Sequence, residues 1–510
     1  MKKYSDLEYL RLPKWNRFVY TLVCLIVGIP TGIFNFIKKI WSAVVEILGF
    51  IKDEIVDIAI TFRDGDWKTR TSFLIMGFGN IARGQVLRGL LFLLMQVVFI
   101  VYMFCGGAHW MSMLPSLGKQ GPEVTYDPIL DVPVTTYHDN SFKILLYGVL
   151  TMFFIIGLIF TWRVNVKQNK ISEQILRSGK KLRSGKEDMR SLVDDKFHAT
   201  LLALPLMGIL IFTVMPIVFM ILVAFTNYDS LHNGFTNNLF TWIGMDNFNT
   251  MLNWTGGNAS YAATFGEILS WTLMWAFFAT FTNYFMGMGV AMMINKKGIK
   301  LKKFWRTCLV MTIAVPQFIS LMYVSKMFAN NGIVNGFLLN MGWIDTPISF
   351  WGEANIARVM VIIINIWVGI PYLMLMVTGI LMNIPADLYE SAKIDGAGPW
   401  KQFVKITLPY MLFVTGPYLL TQFTGNMNNF NVIYLLTGGA PSMTEVSGVL
   451  GTPGKTDLLV TWLFKMITAS EPAAYNLASV IGILVFVVVA FISLVVYNVM
   501  PSIKNEEEFQ

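Results

Sequence analysis

The sequence predicts an all-α polytopic membrane protein with about eight transmembrane helices. Three observations carry that prediction. Of the 510 residues 55% are hydrophobic and only 14% charged, and the mean hydropathy is +0.57, a balance foreign to water-soluble globular chains. Apolar runs recur at the length of about 18 residues that lets a helix cross a hydrocarbon layer about 30 Å thick. Lysine and arginine are spread very unevenly between alternate connecting segments.

In chain order the runs are Val86–Met103, Ile144–Trp162, Thr200–Phe225, Ile268–Ile294, Thr307–Ser325, Val359–Met382, Tyr410–Leu436 and Asn476–Met500. With Met1–Arg88 on one face and the chain alternating through these runs, Lys and Arg number 33 on that face and 6 on the other. Such a bias marks the rich side as cytoplasmic and places both termini there. The net charge of +8 is then explained by membrane orientation and needs no nucleic-acid partner.

A ninth apolar run, Phe18–Phe36, carries Gly28, Pro30 and Gly32. Spanning would put Lys2, Lys3, Arg11, Lys14 and Arg17 outside, against the trend. Trp41–Phe62 breaks its apolar stripe with Lys52, Asp53, Glu54 and Asp57, as an amphipathic surface helix does. Residues 1–85 are therefore expected to form an interfacial extension on the cytoplasmic face, with a true ninth span as the rival. No cleavable signal is expected, so the first span serves for insertion. Residues 86–197 hold two membrane helices and a basic cytoplasmic loop, 198–500 the main transmembrane domain with a cytoplasmic loop at 385–409, and 501–510 a cytoplasmic tail.

Catalytic chemistry finds little support. Cys24, Cys105 and Cys308 are far apart, and His109, His138, His198 and His232 have no metal-like spacing, so no metal site is expected. "GTPGKT" at Gly451–Thr456 lacks the glycine five positions before its Gly-Lys pair, where Val449 stands, and is no phosphate loop. "DGD" at Asp64–Asp66 has the form of an acidic metal-binding turn, but one such turn is common by chance. An enzyme is not expected. Glu267, Lys326 and Arg358 lie near the ends of spans, leaving the helix middles almost free of charge. Ion-driven carriers usually bury ionisable groups there, which disfavours the alternative of a secondary transporter.

One stretch is out of character: the polar "YESAKIDGAGPWKQFVKITLP" between two strongly apolar runs. Pro385 closes the preceding span and Asp387 is placed to cap a short helix from Leu388. "DGAG" supplies a turn in which Gly396 is free to take a positive φ. Pro399 suits the first turn of a second helix, Trp400–Thr407, that Pro409 ends. Two short helices are expected, with Trp400, Phe403 and Ile406 giving them an apolar side.

The order Glu390, Ala392, Gly396, Ile406, Leu408, Pro409 resembles the signature loop of ABC importer permeases, with Ser391 in place of the usual alanine. The likeness extends through "AFTNYDS", "FTWIGMDNF", "IWVGIPYLM", "GNMNNFNVIYLLTGGAP" and "GKTDLLV" to the maltose/maltodextrin permeases of the MalF type, over Val86 to the C-terminus. Residues 1–85 have no counterpart in the enteric form, and Thr226–Glu267 is short where that form has a large extracytoplasmic domain. The resemblance implies a type I importer permease core whose Glu390–Pro409 loop, Ser391 included, seats in a cytoplasmic ATPase. It implies a second, MalG-like permease, a MalK-like ATPase homodimer holding ATP and Mg, an extracellular sugar-binding lipoprotein and an oligosaccharide cargo, with no cofactor in this chain. It places the chain in a bacterial plasma membrane.

Sugars are held by aromatic faces and by amides or hydroxyls. Gln422, Thr424, Asn426, Asn428 and Asn429 crowd one apolar run, where amides either bind a sugar or bond helix to helix. The resemblance favours sugar for Asn426 and Asn429. It puts Gly425 where the family has an aromatic ring, and adds Val368, Gly369 and Tyr372 as contacts. Gly369 and Pro371 alone could equally mark a helix kink without ligand.

Overall fold

The computed structural model describes residues 13, 38, 41–127, 132–255, 259–296, 298–446 and 448–499. Phe18–Phe36, the rival ninth span, lies outside them. The described residues fall into two compact units, one drawn from within 1–112 and 147–212, the other from within 113–146 and 213–510.

The first unit contains α1 (41–64), α2 (Trp67–Thr71), α3 (Phe78–Ile81), α4 (Val86–Tyr102), a π turn at Met103–Gly107, α5 (Ala108–Met113), most of α6 (Ser141–Arg177), α7 (Gly185–Val193) and α8 (Phe197–Ile209). The 37 residues of α6 span about 55 Å at about 1.5 Å per residue, well beyond the apolar run that ends at Trp162. Its polar end is clothed by the preceding chain. Arg163 and Lys170 take the carboxylates of Glu54 and Asp57 from α1. Asn165 Oδ1 accepts from Gly77 N, and Asn169 Nδ2 donates to Asn80 Oδ1 at 2.9 Å. Both carboxylates of the acidic turn have structural partners. Asp64 pairs with Arg63, while Asp66 caps α2 by accepting from Thr69 N and takes an ion pair from Arg83 at 2.6 Å. Burial alone would raise the Asp66 carboxyl, but Thr69 and Arg83 together hold it below its ordinary value. Among the described residues no group of three His, Cys, Asp or Glu could hold a metal.

The second unit opens with an antiparallel hairpin, β1 (Glu123–Asp127) and β2 (Val132–Thr136), in the register Val124 to Thr135 and Tyr126 to Pro133. Helices α9 (Met215–Val223) and α10 (Asp246–Leu252) lead into the long α11 (Ala259–Asn295). Then follow α12 (Lys302–Ala314), α13 (Gln317–Met327), α14 (Ile333–Asn340), α15 (Ala354–Leu381), α16 (Ala386–Ile394) and α17 (Pro399–Gln402). A π turn at Phe403–Thr407 joins α17 to α18 (Leu408–Met427), and α19 (Phe430–Leu436), α20 (Leu459–Thr468) and α21 (Tyr475–Val499) complete the unit.

Among the described residues seven helices are long and apolar enough to cross a membrane; the expected fifth span, Thr307–Ser325, is instead the pair α12 and α13, bent by 92°. The break is at Val315–Pro316, where the residue before proline is extended (φ −83°, ψ 126°) and Pro316 begins the new helix without a donor of its own. The expected run Tyr410–Leu436 also breaks. α18 ends at Met427, and Asn429 starts α19 by accepting from Val432 N.

Helix α11 packs along α15 and α18. In their N-terminal parts Glu267 faces Arg358 at 3.7 Å, and near their last turns Asn295 Nδ2 donates to Thr378 Oγ1 at 3.0 Å, so α11 and α15 run parallel. Trp271, Trp275, Ile364, Val432 and Ile433 fill one buried cluster of this seam and Tyr284, Met288, Met374, Val377 and Met411 another. Burying side chains of this size contributes about 1.5–3 kcal/mol each where the alternative is water.

Candidate functional site

The polar loop is built from the end of α15, α16, a turn and the first turns of the long α17–α18 helix. Ser391, Ala392, Lys393, Ile394 and Asp395 form the last turn of α16 and its cap. Beyond it Gly396 adopts φ +72°, the left-handed region that costs glycine nothing. Ala397 N donates to Ala392 O at 2.8 Å and Gly396 N to Lys393 O at 3.0 Å, the paired bonds of a Schellman cap. The spacing of Ala392 and Gly396 thus has a physical meaning: one supplies the carbonyl that the cap closes on, the other the left-handed residue that lets it close.

Two local expectations are corrected. Asp387 is the second residue of α16 and not its cap; Pro385 holds the cap position, and no side chain bonds there. Pro409 does not end a second short helix, because α17 continues through the π turn into α18, giving one helix over Pro399–Met427. A proline ring normally clashes with the carbonyl four residues earlier, here Lys405, and the wider π turn containing Lys405 removes that conflict. Tyr389 OH and Thr407 Oγ1, 2.9 Å apart, tie α16 to the base of the long helix.

Glu390 and Ser391 are exposed, Ile406 and Leu408 half-buried, and Pro409 exposed at the helix base. Of the expected apolar side, Phe403 packs inward onto the cluster around Met411, and Trp400 stays outside at 74% exposure. It is joined by Ile394, 88% exposed, which the sequence did not single out. Two large apolar side chains therefore stand uncovered beside a rigid turn.

Within the helices of the second unit lies a cavity of about 90 Å³ between α11, α15 and α18. It brings together Gly369 and Tyr372 from α15 with Thr280, Asn283 and Tyr284 from α11 and Tyr418 and Gln422 from α18. Pro371, inside α15, lacks the amide that would continue the ladder at this level. The other expected contacts lie elsewhere. Val368 packs into the cluster around Trp271. Asn426 donates to Thr280 Oγ1 at 3.0 Å and accepts from Asn429 Nδ2 at 3.2 Å, while Asn429 caps α19. Gly425 is exposed, with open space where its Cβ would be. The α11 residues escaped sequence reading because nothing in a long apolar helix marks which face meets a gap. On α18 the four-residue step from Tyr418 to Gln422 puts a ring and an amide on one face, a signal that was available.

Residues 283–505 match the family model described as binding-protein-dependent transport system inner membrane component. Among similar proteins, the maltodextrin transport system permease protein MdxF of Bacillus subtilis is 32% identical over 445 residues, 85% of this chain and 95% of its own. The galactooligosaccharides transport system permease protein GanP of the same organism is 32% identical, over 85% of this chain and 97% of its own. The maltodextrin transport system permease protein MalC of Streptococcus pneumoniae is 29% identical, over 85% and 96%.

Proposed function

This chain belongs to the binding-protein-dependent transport system inner membrane components, the permeases of ABC sugar importers, and we propose that it forms half of an oligosaccharide pathway specialised for maltodextrin-like chains. The other half is a second, MalG-like permease. A MalK-like ATPase homodimer binds ATP and Mg on the cytoplasmic side, and an extracellular sugar-binding lipoprotein delivers the cargo. The chain itself then needs no cofactor and catalyses no reaction, and both of its termini are cytoplasmic.

The observation that carries this reading is the capped α16 turn with Ile394 and Trp400 uncovered beside Glu390. A rigid, partly apolar, partly acidic knob on an otherwise membrane-embedded chain is suited to a socket in a soluble partner. Glu390, Ser391, Ala392, Gly396, Ile406, Leu408 and Pro409 are assigned to that docking. Closure of the ATPases on ATP pulls the knob, and the Tyr389–Thr407 bond passes the pull to the helix that carries Tyr418 and Gln422. Closure moves the helices only because it binds one arrangement of them better than another. Sugar contacts are assigned to Gly369 and Tyr372, with Val368, Gly425, Asn426 and Asn429 joining as the pathway widens. MdxF and MalC point to maltodextrins and GanP to galactooligosaccharides; neutral oligosaccharide is the class they share.

The test is co-purification with a co-expressed sugar-importer ATPase. Wild type is expected to capture it. Gly396→Pro, which cannot take φ +72°, and Glu390→Lys are expected to lose it while still inserting in the membrane. Equal capture by all three sinks the docking assignment, and ATP-independent sugar uptake by this chain alone would instead establish the secondary carrier.

A further inference from the structure

We infer that Asn283 is a sugar-reading side chain, whose amide oxygen accepts a hydroxyl of an oligosaccharide held between Tyr372 and Tyr418. The inference rests on the permease reading above and deepens it. Asn283 is 7% exposed and lines the cavity, yet its Oδ1 is buried without a hydrogen-bond partner among the described residues. A buried amide oxygen left unpaired is unfavourable, and a helix seam that needed only packing would be better served by an apolar side chain. The neighbouring asparagines behave differently. Asn426 and Asn429 bond to Thr280, to each other and to the start of α19, as helix-joining amides do.

The opposing helix is shaped for Asn283. A Cβ on Gly369 would lie 2.6 Å from its Nδ2, 2.8 Å from its Cγ and 2.9 Å from its Oδ1. Glycine at 369 therefore leaves room for this amide, and any larger residue would push it out of place. Around it stand two phenol rings, Tyr372 from α15 and Tyr418 from α18, and the amide of Gln422. Aromatic walls with amide acceptors and donors between them are what neutral sugar rings require, while charged side chains are absent from the lining. Tyr418 also supplies a ring near the pathway that position 425, a glycine, does not.

The test uses the assembled importer in proteoliposomes, fed with its binding protein and either radiolabelled maltotriose or radiolabelled galactotriose. Asn283→Ala is expected to raise the KM for the preferred trisaccharide about tenfold with a smaller change in kcat. Because the amide is assigned to one hydroxyl, the preference between the two sugars should shift, which a merely structural defect would not cause. Gly369→Ala displaces the same amide from the other helix and should shift the preference in the same direction, covering the case in which Asn283→Ala does not assemble. An unchanged preference in whichever variants assemble, or an equal loss for both sugars, overturns the inference and leaves the permease reading intact. Failure of the unaltered chain to support ATP-driven uptake of either sugar overturns both.

Discussion

Gly396 holds φ +72° with nothing within 4 Å of where a Cβ would be, so its requirement is conformational and owes nothing to space. Alanine fits the volume and pays the left-handed strain of about 1 kcal/mol; asparagine, which tolerates that region better, pays less. Hydrogen exchange should register the difference at the amides of Asp395, Gly396 and Ala397, whose bonds close α16. Gly396→Ala is expected to exchange there roughly fivefold faster than wild type, and Gly396→Asn to fall between. Exchange in Gly396→Ala as slow as in wild type would mean that the left-handed cap contributes nothing to the order of the loop.

At the scale of elements, α16 is not a free-standing helix but is fixed at its root. Tyr389 OH meets Thr407 Oγ1 across the turn, and Thr407 is the last residue of the π turn that leads into α18. Deleting this hydroxyl leaves the apolar face of α16 in place and removes a bond worth about 1 kcal/mol. Tyr389→Phe is thus expected to retain the ATPase while hydrolysing more ATP per sugar moved; an unaltered ratio would show that the pull travels by another route. This root also marks the limit of what the sequence tells. The eight apolar runs could be read because crossing lipid demands length, and the Glu390–Pro409 pattern because its spacing is strict. Pro409 misled because proline stops an α-helix only where the preceding turn is α-helical, and a π turn leaves no composition signature. Asn428 and Asn429 hid the end of α18 because side-chain capping at Asn429 needs only one polar residue in an apolar run. The cavity was half legible. Gly369 and Tyr372 stood out beside Pro371, whereas Thr280 and Asn283 sit on a helix whose neighbours could not be inferred from its own residues.

For the whole molecule the open question is how the chain passes the bent pair α12 and α13, since a bend of 92° fits either a broken span or a loop that returns to the face it left. The basic residues do not decide it. Beyond Thr307 they divide equally, Lys326, Arg358, Lys455 and Lys465 against Lys393, Lys401, Lys405 and Lys504, so exchanging the faces from there on leaves the 33 to 6 bias unchanged. The contacts do decide it. Glu267, near the start of α11, meets both Arg358, near the start of α15, and Lys455 Nζ at 3.1 Å, and Asn295 meets Thr378 at the opposite ends. Two parallel helices that begin on one face require the chain between them to cross back, so α12 and α13 together form the fifth of eight crossings among the described residues. Impermeant maleimide labelling of intact cells tests this in a background with Cys24, Cys105 and Cys308 changed to serine. Ser349→Cys, between α14 and α15, should label from outside; Lys300→Cys and Lys401→Cys should label only after permeabilisation. If Ser349→Cys, like Lys300→Cys, labelled only after permeabilisation, the pair would be a returning loop. It would also move Glu390, Gly396 and Trp400 to the outer face, out of reach of any cytoplasmic ATPase.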